Sequence, residues 1–247
     1  AAVICQNSGL GNLYNALTSL LATYRIPALL LCGFRGAPPF NDEPQHQLMG
    51  AISASVLQLA EARLTTVRRA EELLRFVDDS PARMARRDVP AALIEPGVVL
   101  PSGGAALAPA SRRARPAEAI VRRSPILAAR SSLCEAIDAL APYAATTAVI
   151  ATTGYIGRRY CADLDGPNAF YMSGSMGHAP ALALGASAAS GRPTLVLDGD
   201  GAILMRLSSL PFVGSEAPAR FVHVVLDNGV HGSTGGQHSL SAHVDLA

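Results

Sequence analysis

The stretch that decides the fold is "TLVLDGDGAIL", residues 194–204. Apolar and β-branched residues run into two aspartates interleaved with two glycines, and apolar residues resume at once. A short apolar run closed by a turn predicts a buried strand, and the resumption predicts the start of a helix. Strand, turn and helix in that order belong to a parallel α/β sheet, where ligands gather outside the carboxyl ends of the strands. Two carboxylates at such a place would hold a metal ion, reach a phosphate through a cation, or simply form a turn.

A dinucleotide site does not fit. Gly199, Gly201 and Leu204 fill the three places of G-x-G-x-x-G, so the third glycine is missing. Asp200, between the first two, would face a pyrophosphate with nothing to neutralise it. A divalent cation reverses that repulsion. Asp200 then ligates Mg²⁺, the ion bridges to diphosphate oxygens, and Gly199 and Gly201 let the backbone approach. A hard cation needs further oxygen ligands, and "VVLDNGVHG" offers them. Asn228 follows Asp200 by 28 residues, the length of an excursion through helix and strand to a neighbouring strand end. A backbone carbonyl from the same loop would add another. Taken singly, Asp200 and Asn228 read as turn formers; together, one strand apart, they read as a metal pair. Asp198 is read as ending the strand with local hydrogen bonds.

Outward from this unit the same order recurs. "TAVIATTG" is a strand ending at a turn, "YMSGSMGHAPALALGASAAS" a short strand, a Gly/Ser turn and an Ala-rich helix, and "ARFVHVVLDNGVHGSTGGQ" a strand and a loop. Upstream, residues 1–5 and 27–33 and the segment "VPAALIEPG" read as strands, and 13–23, 46–60 and 69–79 as helices. The expected organisation is two similar parallel-sheet α/β domains, over 1–105 and 124–247, joined by a linker at 106–123 rich in Ala, Pro, Gly and Arg. The chain opens inside a strand and stops after a Gly-rich loop, so both domains are expected to be truncated.

The chain is 49% hydrophobic and 16% charged, enough for a sizeable core, and its net charge of +1 gives no reason to expect a nucleic-acid or membrane partner. Its four cysteines have no metal or disulfide-framework spacing and read as reduced thiols of a cytoplasmic protein. All 20 basic residues are arginine. Without lysine there is no Schiff-base chemistry and no P-loop nucleotide site. It follows that phosphate charge near Asp200 would be neutralised by a bound cation.

"GDGA" followed by "LDNG" resembles the thiamine diphosphate-binding motif, which runs from GDG to an asparagine pair. Asp227 stands in place of the first asparagine and Asn228 keeps the second. With "QNSGLGN", "GFRGAPPFNDEPQHQLMG", "TTG", "GSMGHA" and "HGSTGGQ", the chain resembles the phosphonopyruvate decarboxylase family, with sulfopyruvate decarboxylase as a close relative. The resemblance implies a pyrimidine-binding and a diphosphate-binding domain. It implies thiamine diphosphate and Mg²⁺ as cofactors, and a homo-oligomer, dimer or tetramer, with the active site between subunits. The implied reaction takes a small 2-oxo acid, phosphonopyruvate, to phosphonoacetaldehyde and carbon dioxide in phosphonate antibiotic biosynthesis. Sulfopyruvate decarboxylase tends to carry its two domains on separate subunits, so their union here favours phosphonopyruvate. A non-catalytic relative is the remaining alternative.

By the same resemblance Asp200 and Asn228 bind Mg²⁺ through side chains and Val230 through its carbonyl. Thr152, Thr153, Gly154, Gly174, Ser175, Met176, Gly199, Gly201 and Ala202 line the cofactor. Met176 matches the apolar residue that props it in a bent shape, and otherwise reads as a core methionine. Ser175 reads equally as a helix cap. Asn7, Ser8, Arg35 and Gln45 are expected at the substrate, Arg35 because a planar fork suits a phosphonate or sulfonate. His231 and His46 are the candidates for proton transfer, and each also reads as a loop histidine. Such enzymes use a glutamate against the pyrimidine ring. None of Glu43, Glu61 or Glu71 has a matching context, so that residue is expected upstream of Ala1, and these 247 residues alone are not expected to turn over.

Overall fold

The computed structural model describes residues 1–100, 132–216 and 218–246; the expected linker at 106–123 lies outside them. The chain divides into two compact units, Ala1–Ala106 and Leu107–Ala247.

In the first unit the strands are β1 (Ala2–Gln6), β2 (Leu29–Gly33), β3 (Arg63–Val67) and β4 (Pro90–Ile94). They form one parallel sheet in the order β1-β2-β4-β3. The helices are α1 (Leu10–Ala16), continued by a π-helical stretch Leu17–Ala22, then α2 (Pro44–Leu59) and α3 (Ala70–Ala85). Successive residues of β4 point to opposite faces. Ala91 and Leu93 pack with Leu10, Leu17, Leu30 and Leu57 on the side of α1 and α2, while Ala92 packs with Val67 and with Phe76 of α3 on the other. This is the two-faced burial expected of a parallel sheet.

Sequence reasoning missed β3 and ended α3 early. The cause is visible at the helix ends. Glu61 N–H donates to the Gln58 carbonyl and Ala62 N–H to that of Leu57, closing α2 with Glu61 at φ +61°. Arg87 and Asp88 repeat the pattern on Met84 and Arg83, with Arg87 at φ +63°. Glycine normally fills this left-handed position, and here the stop signal is absent from the sequence. α3 also runs through Pro81, where a boundary is expected.

The second unit contains α4 (Leu133–Asp138), α5 (Ala141–Ala144), β5 (Ala148–Ala151), α6 (Tyr155–Leu164), β6 (Ala169–Tyr171), α7 (Ala179–Ser190), β7 (Thr194–Gly199), α8 (Asp200–Met205), α9 (Ser209–Glu216) and β8 (Phe221–Leu226). Sequence reasoning gave no helix at α6 or α9. The sheet is parallel throughout, in the order β6-β5-β7-β8. The two sheets are alike in strand number and direction and differ in strand order. β7 is central and buried along Thr194–Asp198, as its continuous apolar run predicts. Ile137 of α4 and Tyr160 of α6 cover Val149, Ala151, Leu195 and Leu197 on one face. α7 packs on β5 and β7 and stops at Gly191, left-handed at φ +63°.

Candidate functional site

In the second unit the sequence-singled turns all follow carboxyl ends of strands. Residues 152–154 follow β5, 174–176 follow β6, Asp200 follows β7, and 227–230 follow β8. β7 and β8 are neighbours with Gly199 opposite Leu226, so Asp200 and the 227–230 turn stand on adjacent strand ends.

Asp200 is 3% exposed. Its Oδ2 accepts a hydrogen bond from the Ser239 hydroxyl. No ion pair among the described residues involves it, although burying an unpaired carboxylate is costly. Asp198 is fully buried. Its Oδ1 bonds locally, as expected, accepting from Gly199 N–H at 3.0 Å, whereas Oδ2 faces the neighbouring strand, 3.4 Å from His223 Nε2 on β8.

The turn after β8 is held by its own side chains. Asp227 Oδ1 accepts from Gly229 N–H at 2.9 Å, and Asn228 Oδ1 from Val230 N–H at 3.1 Å. These are turn-former bonds, and the Asn228 oxygen keeps a second lone pair. Val230 pairs with His238 in an isolated bridge, and Ser239 N–H donates to the Gly229 carbonyl at 2.8 Å. Residues 237–241 thus fold back along 229–231, a contact sequence reasoning missed. Ser241 then donates its hydroxyl to Asp227 Oδ1 at 2.9 Å.

Three details revise expectations. A Cβ on Gly201 would fall 2.6 Å from His231 Nδ1, so this glycine makes room for an imidazole. The Cβ of a residue at 154 would meet Ser233 Oγ at 3.0 Å, and Gly154 has φ +90°, a conformation suited to glycine. Ser175 is not a helix cap. α7 begins at Ala179 with His178 in the capping position, and Ser175 is buried three residues earlier at φ +50°. Positive φ at a non-glycine residue is uncommon and concentrates at functional sites. His178 Nδ1–H donates to the Ser175 carbonyl at 2.9 Å, and burial holds the His178 pKa below the ordinary value, with the charge of Arg206 acting the same way. Met176 is half-buried in this turn.

Whether these residues fit a phosphorylated cofactor with a cation is tested by Thr152. It is 2% exposed, and its Oγ1 is buried without a hydrogen-bond partner among the described residues. A buried unpaired hydroxyl beside a side-chain-free glycine is arranged to receive a polar ligand. At the ends of β7 and β8, the next two strands of the sheet, the chain offers the oxygens of Asp200 and Asn228, the donor type a hard cation takes. The fit is good.

In the first unit Asn7 is fully buried. Its Nδ2 donates to the Arg35 carbonyl at 2.8 Å and to Ser53 Oγ at 2.9 Å, and its Oδ1 accepts from Arg35 N–H at 3.1 Å. The amide therefore anchors the 35–46 segment, while Ser8 is exposed. Arg35 forks onto Asp42, Nε to Oδ2 at 2.8 Å and Nη2 to Oδ1 at 2.6 Å, and Nη2 also donates to Glu43 at 3.1 Å. Gln45 Nε2 donates to Glu43 at 2.9 Å, and His46 Nε2 lies 3.3 Å from the same carboxylate. Asp42, Glu43 and His46 bring ligand atoms within 4.8 Å of one another, but Arg35 holds both carboxylates. The glutamates weighed for the pyrimidine role are placed elsewhere: Glu43 in this cluster, Glu61 at the end of α2, Glu71 in the first turn of α3.

The four cysteines are free, with Cys5 and Cys32 opposite each other on β1 and β2, their Sγ atoms 3.5 Å apart. No helix of the described residues is long and apolar enough to cross a membrane.

Residues 152–245 match the family described as thiamine pyrophosphate enzyme, C-terminal TPP binding domain. Over 98% of its length the chain is 42% identical to a phosphonopyruvate decarboxylase of Streptomyces viridochromogenes and 41% identical to one of Streptomyces hygroscopicus, covering 62% and 61% of those proteins. Over 99% of its length it is 31% identical to a sulfopyruvate decarboxylase of Methanosarcina acetivorans, covering 64% of that protein. The chain thus spans about three fifths of the first two relatives. The Methanosarcina relative carries both units in one chain, so their union does not by itself separate the two activities.

Proposed function

We propose, starting from kinship with the phosphonopyruvate decarboxylases, that the protein carrying this chain decarboxylates phosphonopyruvate to phosphonoacetaldehyde and carbon dioxide, using thiamine diphosphate and Mg²⁺. The observation that carries the reading is the adjacency of buried Asp200 and the 227–230 turn on neighbouring strand ends, with the unpartnered hydroxyl of Thr152 following β5, the strand on the other side of β7. When bound, thiamine diphosphate supplies the electron sink that a 2-oxo acid needs to lose carbon dioxide.

The chain's own residues divide the remaining work. Asp200, Asn228 and the Val230 carbonyl would hold Mg²⁺. Thr152, Thr153, Gly154, Gly174, Ser175, Met176, Gly199, Gly201 and Ala202 would line the cofactor. His231, with its ring seated on Gly201, would hold and move a proton near the reacting carbon. In the first unit Arg35 is the group suited to a phosphonate, with Asn7, Ser8, Gln45 and His46 around its segment. The protein would work as a homo-oligomer in the cytoplasm.

The test is decarboxylation of phosphonopyruvate by the full-length protein, with and without both cofactors. Phosphonoacetaldehyde formed only when both are present supports the reading, and no product from a folded protein refutes it. Sulfopyruvate is the second reading, favoured by the Methanosarcina relative. A higher kcat/KM for sulfopyruvate would replace the first with the second.

A further inference from the structure

We infer that Ser239 and Ser241 form a two-hydroxyl latch that aims the cation-binding groups at the ends of β7 and β8. The inference rests on the reading above. It concerns two residues that no motif singled out.

Ser239 and Ser241 are 8% and 7% exposed, unusual burial for serines in a loop. Each donates its hydroxyl to a different carboxylate: Ser239 to Asp200 Oδ2, Ser241 to Asp227 Oδ1 at 2.9 Å. A hydroxyl has one proton to give, so the pair together serves two acceptors. The Ser241 N–H donates back to Ser239 Oγ at 3.3 Å, which fixes the spacing between the two hydroxyls. The Ser239 N–H donates to the Gly229 carbonyl at 2.8 Å, tying the same segment to the turn that carries Asn228 and Val230.

The consequence is directional. Asp200 has one oxygen engaged by Ser239, and no hydrogen bond among the described residues engages Oδ1. Ser239 thus fixes the rotation of the carboxylate about its side chain and leaves one oxygen for an ion. Without the hydroxyl, the buried carboxylate would rotate between orientations, only some of which match Asn228 and Val230. Asp227 differs from Asn228 in role. Its Oδ1 accepts from both Gly229 N–H and Ser241, so that oxygen braces the turn and keeps no lone pair for an ion. An asparagine oxygen would accept the same two bonds, which explains why Asp227 can stand where the motif has asparagine. Ser239 and Ser241 are positioning residues, and outer groups that orient metal ligands typically change affinity by ~10–100-fold when removed.

The test uses the full-length protein and Mg²⁺ titrated at saturating thiamine diphosphate, read by calorimetry and by thermal melting. Ser239→Ala should raise the half-saturating Mg²⁺ roughly ten-fold, while the melting temperature of the cofactor-free protein falls only by the cost of one lost hydrogen bond to a buried carboxylate. Ser239→Thr, which keeps the hydroxyl, should recover most of that loss. Asp227→Asn should titrate like the parent. An unchanged Mg²⁺ titration in Ser239→Ala overturns the latch. So does a Mg²⁺ response in Ser239→Thr no better than that of Ser239→Ala, because the loss is then general destabilisation and not the hydroxyl's. The parent's own response separates the two readings: if it shows no Mg²⁺-dependent stabilisation, the cofactor reading fails and the latch with it, whereas a parent that responds and a variant that matches it removes the latch alone.

Discussion

The imidazole of His231 occupies the space that a side chain on Gly201 would need, with Nδ1 2.6 Å from the position of a Cβ. Two effects oppose each other in Gly201→Ala. Alanine is favoured over glycine inside a helix by about 1 kcal/mol. Overpacking typically costs about 1–3 kcal/mol, less when the obstacle is a mobile side chain. The ring belongs to a half-buried loop residue, so it should swing aside. Gly201→Ala is therefore expected to fold with stability near the parent's while losing activity. The His231 ring resonances in an NMR spectrum check this; unmoved resonances would show that the ring does not sit there.

Thr152→Val addresses the orphan hydroxyl. An unsatisfied buried polar group is destabilising, and an isosteric apolar replacement removes that penalty. The cofactor-free variant should be equal to the parent or more stable by about 1 kcal/mol. The stabilisation that thiamine diphosphate and Mg²⁺ confer should shrink. Urea denaturation with and without both cofactors checks both halves, and a variant less stable without cofactors would show that the hydroxyl has a partner in the protein.

How much of this was legible beforehand differs between the units. In the second, glycines and prolines punctuate the chain where the backbone turns, so β5, β7, β8 and α7 are all legible in the sequence. In the first, Glu61 and Arg87 take the left-handed helix stops that glycine usually marks, and β3, lying between them, was hidden. The site shows the same division. Asp200 and Asn228 stand out by spacing. Ser239 and Ser241 do not, because their role comes from a fold-back of 237–241 along 229–231 that no periodicity announces. In the sequence Gly201 has a backbone reason, while its neighbour in space is 30 positions away.

His178 gives a pH dependence with a definite sign. Burial lowers its pKa in the folded protein. Below the unfolded value of about 6.5, the unfolded chain takes up a proton that the native state resists. Stability should therefore fall as pH drops through that value and be level above it. In His178→Asn, which puts a good capping residue at that position, the fall between about pH 7.5 and pH 5.5 should be smaller. Urea midpoints of parent and variant at the two pH values measure the difference, and equal falls would refute the assignment.

Arg35 raises the sharpest question in the first unit, because its fork is already occupied by Asp42. The guanidinium holds the Asp42 carboxyl well below the usual carboxylate range. A depressed carboxylate stabilises above its unfolded value, about 3.9, and the contribution is lost as pH falls through the folded value. The 35–46 segment should thus stay closed at a pH near 3. In Arg35→Gln, Asp42 should titrate higher than in the parent, still lowered by the N–H groups of Gly36 and Glu43, and the segment should be more open to pepsin there. Substrate recognition is a separate matter. Arg35 donates through Nε and Nη2, and no hydrogen bond among the described residues engages Nη1, so an anionic head group would meet that free edge. Arg35→Gln and Asp42→Asn both break the same pair, but only the first removes the cation. If Arg35 reads the charged head of the substrate, Arg35→Gln raises KM and Asp42→Asn, by freeing the fork, lowers it. If Arg35 only braces the loop, both variants change KM in the same direction, and the anion site must be sought elsewhere.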